Sequence, residues 1–319
     1  MLRWRGLEAT PGDLGRTVVT IGMYDGVHRG HQTLIGAAVE RARAMDRPCL
    51  LLTFDPHPAE VIRPGSHPAI LTSMDRKGEL VAELGVDAMC VLPFTQDFMR
   101  LSSETFTHTV LVERLHAAQV VVGQNFTYGH RASGTVETLE VEGRRFGFAV
   151  DPVPLAEDSS DDGAITISST YIRACVAGGD MVSAARALGR PHRVDGVVVR
   201  GDRRGKAMGY PTANIESPAF TAIPADGIYA GHLVLREART GASLDRLPAA
   251  ISVGSNPTFQ GSRRTVEAFV LDYDGDLYGE HVGVEFAHRL RPMAAFADVD
   301  DLLAAMAKDV SDTRQILGM

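Results

Sequence analysis

Apolar positions in the first half of the chain fall into short continuous runs, separated by stretches in which they recur at helical spacing. Residues 17–21, Thr-Val-Val-Thr-Ile, predict a strand, and residues 32–40 predict a helix. Residues 49–54 are apolar almost throughout, the pattern of a strand covered on both faces. Helices are predicted over 73–84 and 102–115, and strands over 88–92 and 119–123. Such alternation implies a Rossmann-like α/β domain, a parallel sheet with crossover helices. In open sheets of that kind ligands bind beyond the carboxyl ends of the strands. The unusual sequences fall there, at 22–31, 55–58 and 124–130.

A helix restarts at Gly178-Gly179-Asp180, with Asp180 as cap and 181–188 as body, and Gly189-Arg190-Pro191 stops it. The pattern then changes to short alternating segments at 194–200, 227–235, 249–253, 265–272 and 281–286, divided by Gly and Pro turns. These predict an antiparallel β-barrel. Residues 298–310 and 311–317 read as C-terminal helices packed outside it. The expected domains are therefore 1–187 and 188–319.

Composition narrows the picture. A chain of 319 residues is long enough for two cores, and its hydrophobic share of 45% and charged share of 23% are ordinary for a globular protein. The net charge of -8 gives no support to a general grip on nucleic acid. Any bound phosphate must be held by local arrangement and a divalent cation. Cys49, Cys90 and Cys175 form no Cys-x-x-Cys pair and read as reduced core residues. The first residues lack the apolar stretch of a signal peptide, and no apolar run is long enough to span a bilayer. A soluble, cytoplasmic protein with no membrane partner is expected.

The candidate chemistry begins at residues 20–31, Thr-Ile-Gly-Met-Tyr-Asp-Gly-Val-His-Arg-Gly-His. A strand that turns through glycines into a helix offers free N–H groups and a positive dipole end to an anion. His28 and His31 can reach the same place, and Gly22 and Gly30 let backbone approach phosphate oxygens. That set suits attack on the α-phosphate of a nucleoside triphosphate as pyrophosphate leaves. Asp55-Pro56-His57-Pro58 taken alone is a stiff turn, and Asn125 can bond its own backbone in a turn. Residues 157–163 are acidic and polar and read as a solvated loop. Ser168, Ser169 and Thr170 open a predicted helix with Arg173 one turn on, an arrangement that can cap or clamp a triphosphate.

In the second half, Gly201, Gly205 and Gly209 recur every fourth residue with Lys206 and two arginines between them. That describes a flexible loop able to wrap phosphates or, read plainly, a basic loop before an edge strand starting at Pro211. It is not a Walker A loop, because the glycine spacing is short by one and Ala207 replaces the Ser/Thr that would hold magnesium. Thr212 and Asn214 supply oxygen donors on one face of an extended segment and are the candidate cation ligands. Glu267, between Val266 and Ala268, reads by itself as an outward, solvated strand residue. Arg289 and Arg291 share a strand face by period two and either border a ligand or lie at the surface.

His28-Arg29-Gly30-His31 resembles the signature of the nucleotidyltransferase superfamily. The wider frame Gly-x-x-Asp-Gly-Val-His-x-Gly-His resembles the adenylyltransferase module of bacterial bifunctional riboflavin kinase/FAD synthetases. Phe-Asp-Pro-His-Pro at 54–58, Gly-x-Asn-Phe-x-x-Gly-His at 123–130 and Ile-Ser-Ser-Thr-x-x-Arg at 167–173 are similar to the same module, in the same order. One departure is Met23-Tyr24, where the family has one residue and Phe; it bears on substrate packing, not on the phosphate site. Gly-x-Pro-Thr-Ala-Asn at 209–214, with the stretches 227–231, 252–259 and 274–279, resembles riboflavin kinases.

The resemblance runs from about residue 18 to about residue 317. It implies a nucleotidyltransferase domain with His28, His31 and Asn125 in adenylyl transfer, a phosphate clamp of Ser168, Ser169, Thr170 and Arg173, and Asp25, Phe54 and His57 at the flavin. It implies a riboflavin kinase barrel in which Glu267 takes the proton of the ribityl 5′-hydroxyl. The expected substrates are ATP, riboflavin and FMN, the expected products FMN and then FAD, and the expected cation Mg²⁺. Self-association into a homo-oligomer stays open. Two alternatives stand beside this reading: one active module only, or a flavin-binding regulator without turnover.

Overall fold

The computed structural model describes residues 1–319 apart from 66, 155–156, 161–162, 202–208, 238–242 and 259–260. By its contacts the chain forms two compact units: 1–68 with 74–168, and 69–73 with 169–319.

The first unit is built on six parallel strands: β1 (Leu2–Arg5), β2 (Thr17–Ile21), β3 (Cys49–Asp55), β4 (Ala88–Pro93), β5 (Ala117–Gly123) and β6 (Ala149–Val153). Their order across the sheet is β1-β4-β3-β2-β5-β6. The central four follow the apolar runs, because both faces of the sheet are covered. Val19, Ile21, Leu50, Leu52 and Cys90 belong to one core, and Val18, Leu51, Met89, Val91 and Val121 to the other. At about 1.5–3 kcal/mol for each large aliphatic side chain withdrawn from water, these two faces dominate the unit's stability. The outer strands have no such run and escape sequence prediction. β1 buries only Trp4, and β6 carries Pro152, which an edge strand tolerates.

Helices Arg29–Ala44 and Met74–Glu83 stand where helical spacing predicts them. Over 102–115 the prediction needs correcting in detail. Ser102 caps helix Ser103–Phe106, which passes into a π-helical stretch, Thr107–Arg114. Helix Val136–Phe146 is not among the predicted elements, although Thr135 caps it and Gly147 ends it in the left-handed region. The segment expected as a solvated loop holds a short antiparallel pair, β7 (Glu157–Ser160) with β8 (Gly163–Thr166). Backbone pairing there needs no apolar run, so hydropathy does not reveal it.

The second unit is a closed antiparallel barrel of β9 (His192–Val199), β10 (Ala213–Glu216), β11 (Gly227–Arg236), β12 (Ser243–Thr258), β13 (Gly261–Val270) and β14 (His281–Arg291). Its order is β10-β13-β12-β11-β14-β9. The strands outrun the predicted segments, β12 reaching 16 residues, because pairing rather than hydropathy sets their ends. The two predicted C-terminal helices are one, Val299–Leu317, capped by Asp298. No Gly or Pro interrupts it at 310–311, and Lys308 pairs with Asp312 across that point at 2.6 Å. It packs against β11, β12 and β14.

Helices Ser169–Gly178 and Met181–Leu188 count with the barrel by contact, so the units divide after Ser168, upstream of the change of pattern at 188. Residues 69–73 join them: Arg173 Nε donates to the Ala69 carbonyl at 2.6 Å, and Ile70 bridges Thr221.

Candidate active sites

In the first unit, three of the singled-out stretches follow adjacent strands, β3, β2 and β5, at their carboxyl ends. After β2 the chain turns tightly. A Cβ on Gly22 would stand 3.0 Å from the Tyr24 ring, and Tyr24, Gly26 and Val27 all have positive φ. Tyr24 points inward and is buried, its hydroxyl 2.5 Å from that of Thr20. The turn ends at His28, whose Nδ1 caps helix Arg29–Ala44 by accepting from the His31 N–H at 3.3 Å. An accepting Nδ1 carries no proton, so the neutral ring holds its proton on Nε2. The His28 and His31 rings stack at 3.6 Å, and the Tyr24 ring meets His31 edge-on at 5.2 Å. Two imidazoles are thus held together at the positive end of a helix.

Asp25 is 4% exposed within this turn. Phe54, near the end of β3, joins Phe94 and Phe98 in an aromatic group with ring centroids 5.6–5.8 Å apart. His57 caps helix Pro58–Ile62, its Nδ1 accepting from the Ala59 N–H at 3.1 Å, so the stiff turn read at 55–58 is also a helix start. Asn125 is exposed in the tight turn after β5. Two buried groups went unnoticed in the sequence. Lys77 donates to the Met23 carbonyl at 2.7 Å, and Tyr128 donates to buried Glu142 at 2.8 Å. Neither carries a local signal beyond its residue type. Ser168 closes the first unit, while Ser169, Thr170 and Arg173 lie at the start of the second.

In the barrel, Val266, Ala268 and Val270 are buried, and Glu267 and Phe269 alternate onto the opposite face. That face is only partly open to solvent. Glu267 lines a cavity of about 420 Å³ together with Tyr210, Thr212, Ser252, Phe269 and Arg291, and Leu302 and Met306 of the C-terminal helix close it. The Thr212 hydroxyl donates to Glu267 Oε2 at 3.1 Å. Asn214 stands directly opposite Glu267 in the β10–β13 register. Thr212 also lines a second cavity of about 400 Å³, bordered by Val198, Tyr273, Asp274, Asp276 and Tyr278. One residue therefore lines both spaces.

The Asn214 amide occupies the space that a Cβ on Gly201 would take. Gly209 has φ 83°, a left-handed conformation that glycine adopts without strain. Gly205 and Lys206 lie outside the described residues. Arg291 borders the first cavity and holds Asp309 of the C-terminal helix through two bonds of 2.8 and 2.7 Å. Arg289 instead donates to the Asp226 carbonyl at 2.7 Å. Among the described residues no cluster of three or more His, Cys, Asp or Glu could hold a metal. The oxygen donors Thr212, Asn214 and Glu267, gathered on one face, suit a hard cation that keeps water and phosphate ligands.

Residues 10–171 match the family model FAD synthetase, and residues 188–317 the model riboflavin kinase. The chain is 32% identical over 302 residues to the bifunctional riboflavin kinase/FMN adenylyltransferase of Escherichia coli (strain K12), covering 95% of this chain and 93% of that protein. It is 35% identical over 302 residues to the protein of the same name from Listeria monocytogenes, covering 93% and 91%. Its fold is also similar to a crystal structure of a macrolide-efflux protein from Streptococcus pneumoniae, with a TM-score of 0.86 at 30% identity over 98% of this chain and 99% of that one. Efflux belongs to that protein's name alone; no described helix here is long and apolar enough to cross a membrane. Both modules are present in order, each over its own compact fold, and the chain belongs to the bifunctional riboflavin kinase/FMN adenylyltransferase family.

Proposed function

We infer that the chain makes FAD from riboflavin in two steps: the barrel phosphorylates riboflavin with ATP, and the parallel-sheet unit adenylylates the resulting FMN. The observation that carries the kinase reading is the Thr212–Glu267 bond, set where an apolar cavity with aromatic walls meets a polar one. The first cavity suits the flavin ring and the second the nucleotide. Glu267 then lies where the ribityl hydroxyl reaches the γ-phosphate. Its carboxylate takes the hydroxyl proton as the oxygen attacks phosphorus and ADP leaves. Thr212 and Asn214 would hold Mg²⁺, which when bound neutralises charge on the phosphates.

In the first unit the FMN phosphate attacks the α-phosphorus of ATP and pyrophosphate departs. His28 and His31 stabilise the charge gathering on the α-phosphoryl oxygens, Gly22 and Gly30 let backbone approach, and Asn125 borders the same end of the sheet. Asp25, Phe54 and His57 contact the flavin. By the family resemblance, Ser168, Ser169, Thr170 and Arg173 are assigned to the β- and γ-phosphates, and Gly201, Gly205, Lys206 and Gly209 to the phosphates of the kinase's ATP.

Product analysis with riboflavin, ATP and Mg²⁺ tests the whole reading. FMN should appear first and give way to FAD. FMN that accumulates without FAD would confine activity to the barrel, and no product with riboflavin still bound would mark a regulator. Glu267→Ala should abolish FMN formation and spare FMN-to-FAD conversion; His31→Ala should do the reverse. Loss of both activities from either folded variant would overturn the division of labour.

A further inference from the structure

Lys77 has no part in the chemistry described so far, yet it is a charged side chain only 3% exposed. It lies on helix Met74–Glu83, which Leu80 and Val81 anchor in the core. Beside it, Gly78 leaves room for the Arg3 guanidinium of β1, which bonds Asp75 of the same helix at 3.0 Å. The helix is fixed on the sheet and delivers the Lys77 ammonium to the Met23 carbonyl at 2.7 Å. That carbonyl also accepts from the Thr53 hydroxyl at 3.2 Å.

Met23 opens a turn that needs an outside hold. Tyr24 at φ 48° and Val27 at φ 40° occupy the left-handed region, costly for side chains with a Cβ and most of all for a β-branched one. Immediately after that turn His28 caps the helix and stacks on His31. A shift at Met23 therefore moves both imidazoles.

We propose that Lys77 is a positioning residue for adenylyl transfer, pinning Met23 and so fixing the turn that presents His28 and His31. This rests on assigning that reaction to the first unit. The charges around the ammonium are Asp25 on the turn and Asp55 at the end of β3, with Arg5 of β1 holding Asp55 at 3.0 Å and Arg3 paired to Asp75. Burial pulls the Lys77 ammonium down from the ordinary lysine value to about 8, against the pull of Asp25 and Asp55. The pin should accordingly weaken as pH rises through that value, because a neutral amine donates more weakly and loses its attraction to both carboxylates.

The test is the pH profile of FAD formation from FMN and ATP, with wild type, Lys77→Arg and Lys77→Met. The wild-type kcat should fall about tenfold above pH 8 with KM for ATP little changed. Lys77→Arg, charged throughout, should stay active and carry that falling limb to higher pH. Lys77→Met should lose at least tenfold in kcat at pH 7 and show no limb, while FMN formation by the barrel is untouched. A second readout needs no turnover: the imidazole C–H signals of His28 and His31 should inflect near pH 8 in wild type and not in Lys77→Met. That readout judges the proposal even if the first unit made no FAD, an outcome that would sink the assignment of the reaction instead. If Lys77→Met fails to fold, the wild-type and Lys77→Arg titrations decide. A Lys77→Met variant with wild-type kcat and profile, or with His28 and His31 signals unmoved from their wild-type positions, would overturn it.

Discussion

On the proposed kinase reading the barrel's chemistry turns on Thr212, because the residue lines two cavities and its hydroxyl donates to Glu267. Thr212→Val keeps the shape and removes the bond. It should lower the kcat of FMN formation by about 10²-fold, with riboflavin KM changed far less and FAD formation from FMN unchanged, as steady-state assays of each half-reaction would show. At the other site Tyr24 differs from the family's Phe by one hydroxyl, buried against Thr20. Tyr24→Phe should cost about 1–2 kcal/mol, since it strands the Thr20 hydroxyl, and Thr20→Val in the same chain should restore most of that loss. Urea unfolding of the two variants and the wild type checks both statements. Glu267 shows how far single residues can be read in advance. Its alternation off the barrel interior was plain from Val266 and Ala268, but the cavity covering it depends on Leu302 and Met306, some 35 positions on.

Among elements, the helix Val299–Leu317 contributes Leu302, Met306, Asp309 and Val310 to the first barrel cavity, and Arg291 with Asp309 fixes it to β14. Asp309 is 6% exposed while Arg291 is about a quarter exposed, so breaking the pair leaves an incompletely solvated guanidinium. Asp309→Ala should cost about 2–3 kcal/mol and weaken riboflavin binding, measured by calorimetric unfolding and by flavin fluorescence titration. Periodicity locates this helix but reads it as two, whereas the backbone runs through 310–311 unbroken and Lys308 pairs with Asp312 across that point. It misses the edge strands β1 and β6 altogether. A strand covered on one side at most carries too few apolar positions to register, and its partners supply the rest.

At the scale of the molecule, proton linkage sets how stability responds to alkali. Burial pushes the Cys49 and Cys90 thiols up from 9.0 to about 12. The unfolded chain releases those protons near pH 9 and the folded chain keeps them, so it is the folded state that binds more protons. The thiols' contribution to stability is therefore complete below pH 9 and declines from there towards pH 12, by about 1.4 kcal/mol for each thiol at pH 10. Lys77 acts with the opposite sign between about 8 and 10.5, where the unfolded chain binds the extra proton. Cys49→Ala with Cys90→Ala should flatten the decline between pH 9 and 11 in denaturant titrations at fixed temperature.

Two kinds of information are thus separated in this protein. Neighbours along the chain already specified the central strands, the change from parallel-sheet to barrel pattern, and the order of the two family modules. Period, turn chemistry and motif spacing are short-range properties, and they survive in a bare string of residues. Tertiary structure alone decided that His28 stacks on His31, that Thr212 borders two cavities, that Arg291 latches a distant helix and that Lys77 reaches Met23 across 54 positions. Each depends on which strands lie side by side and which helix covers them. Long-range pairing sets that, and no local pattern records it.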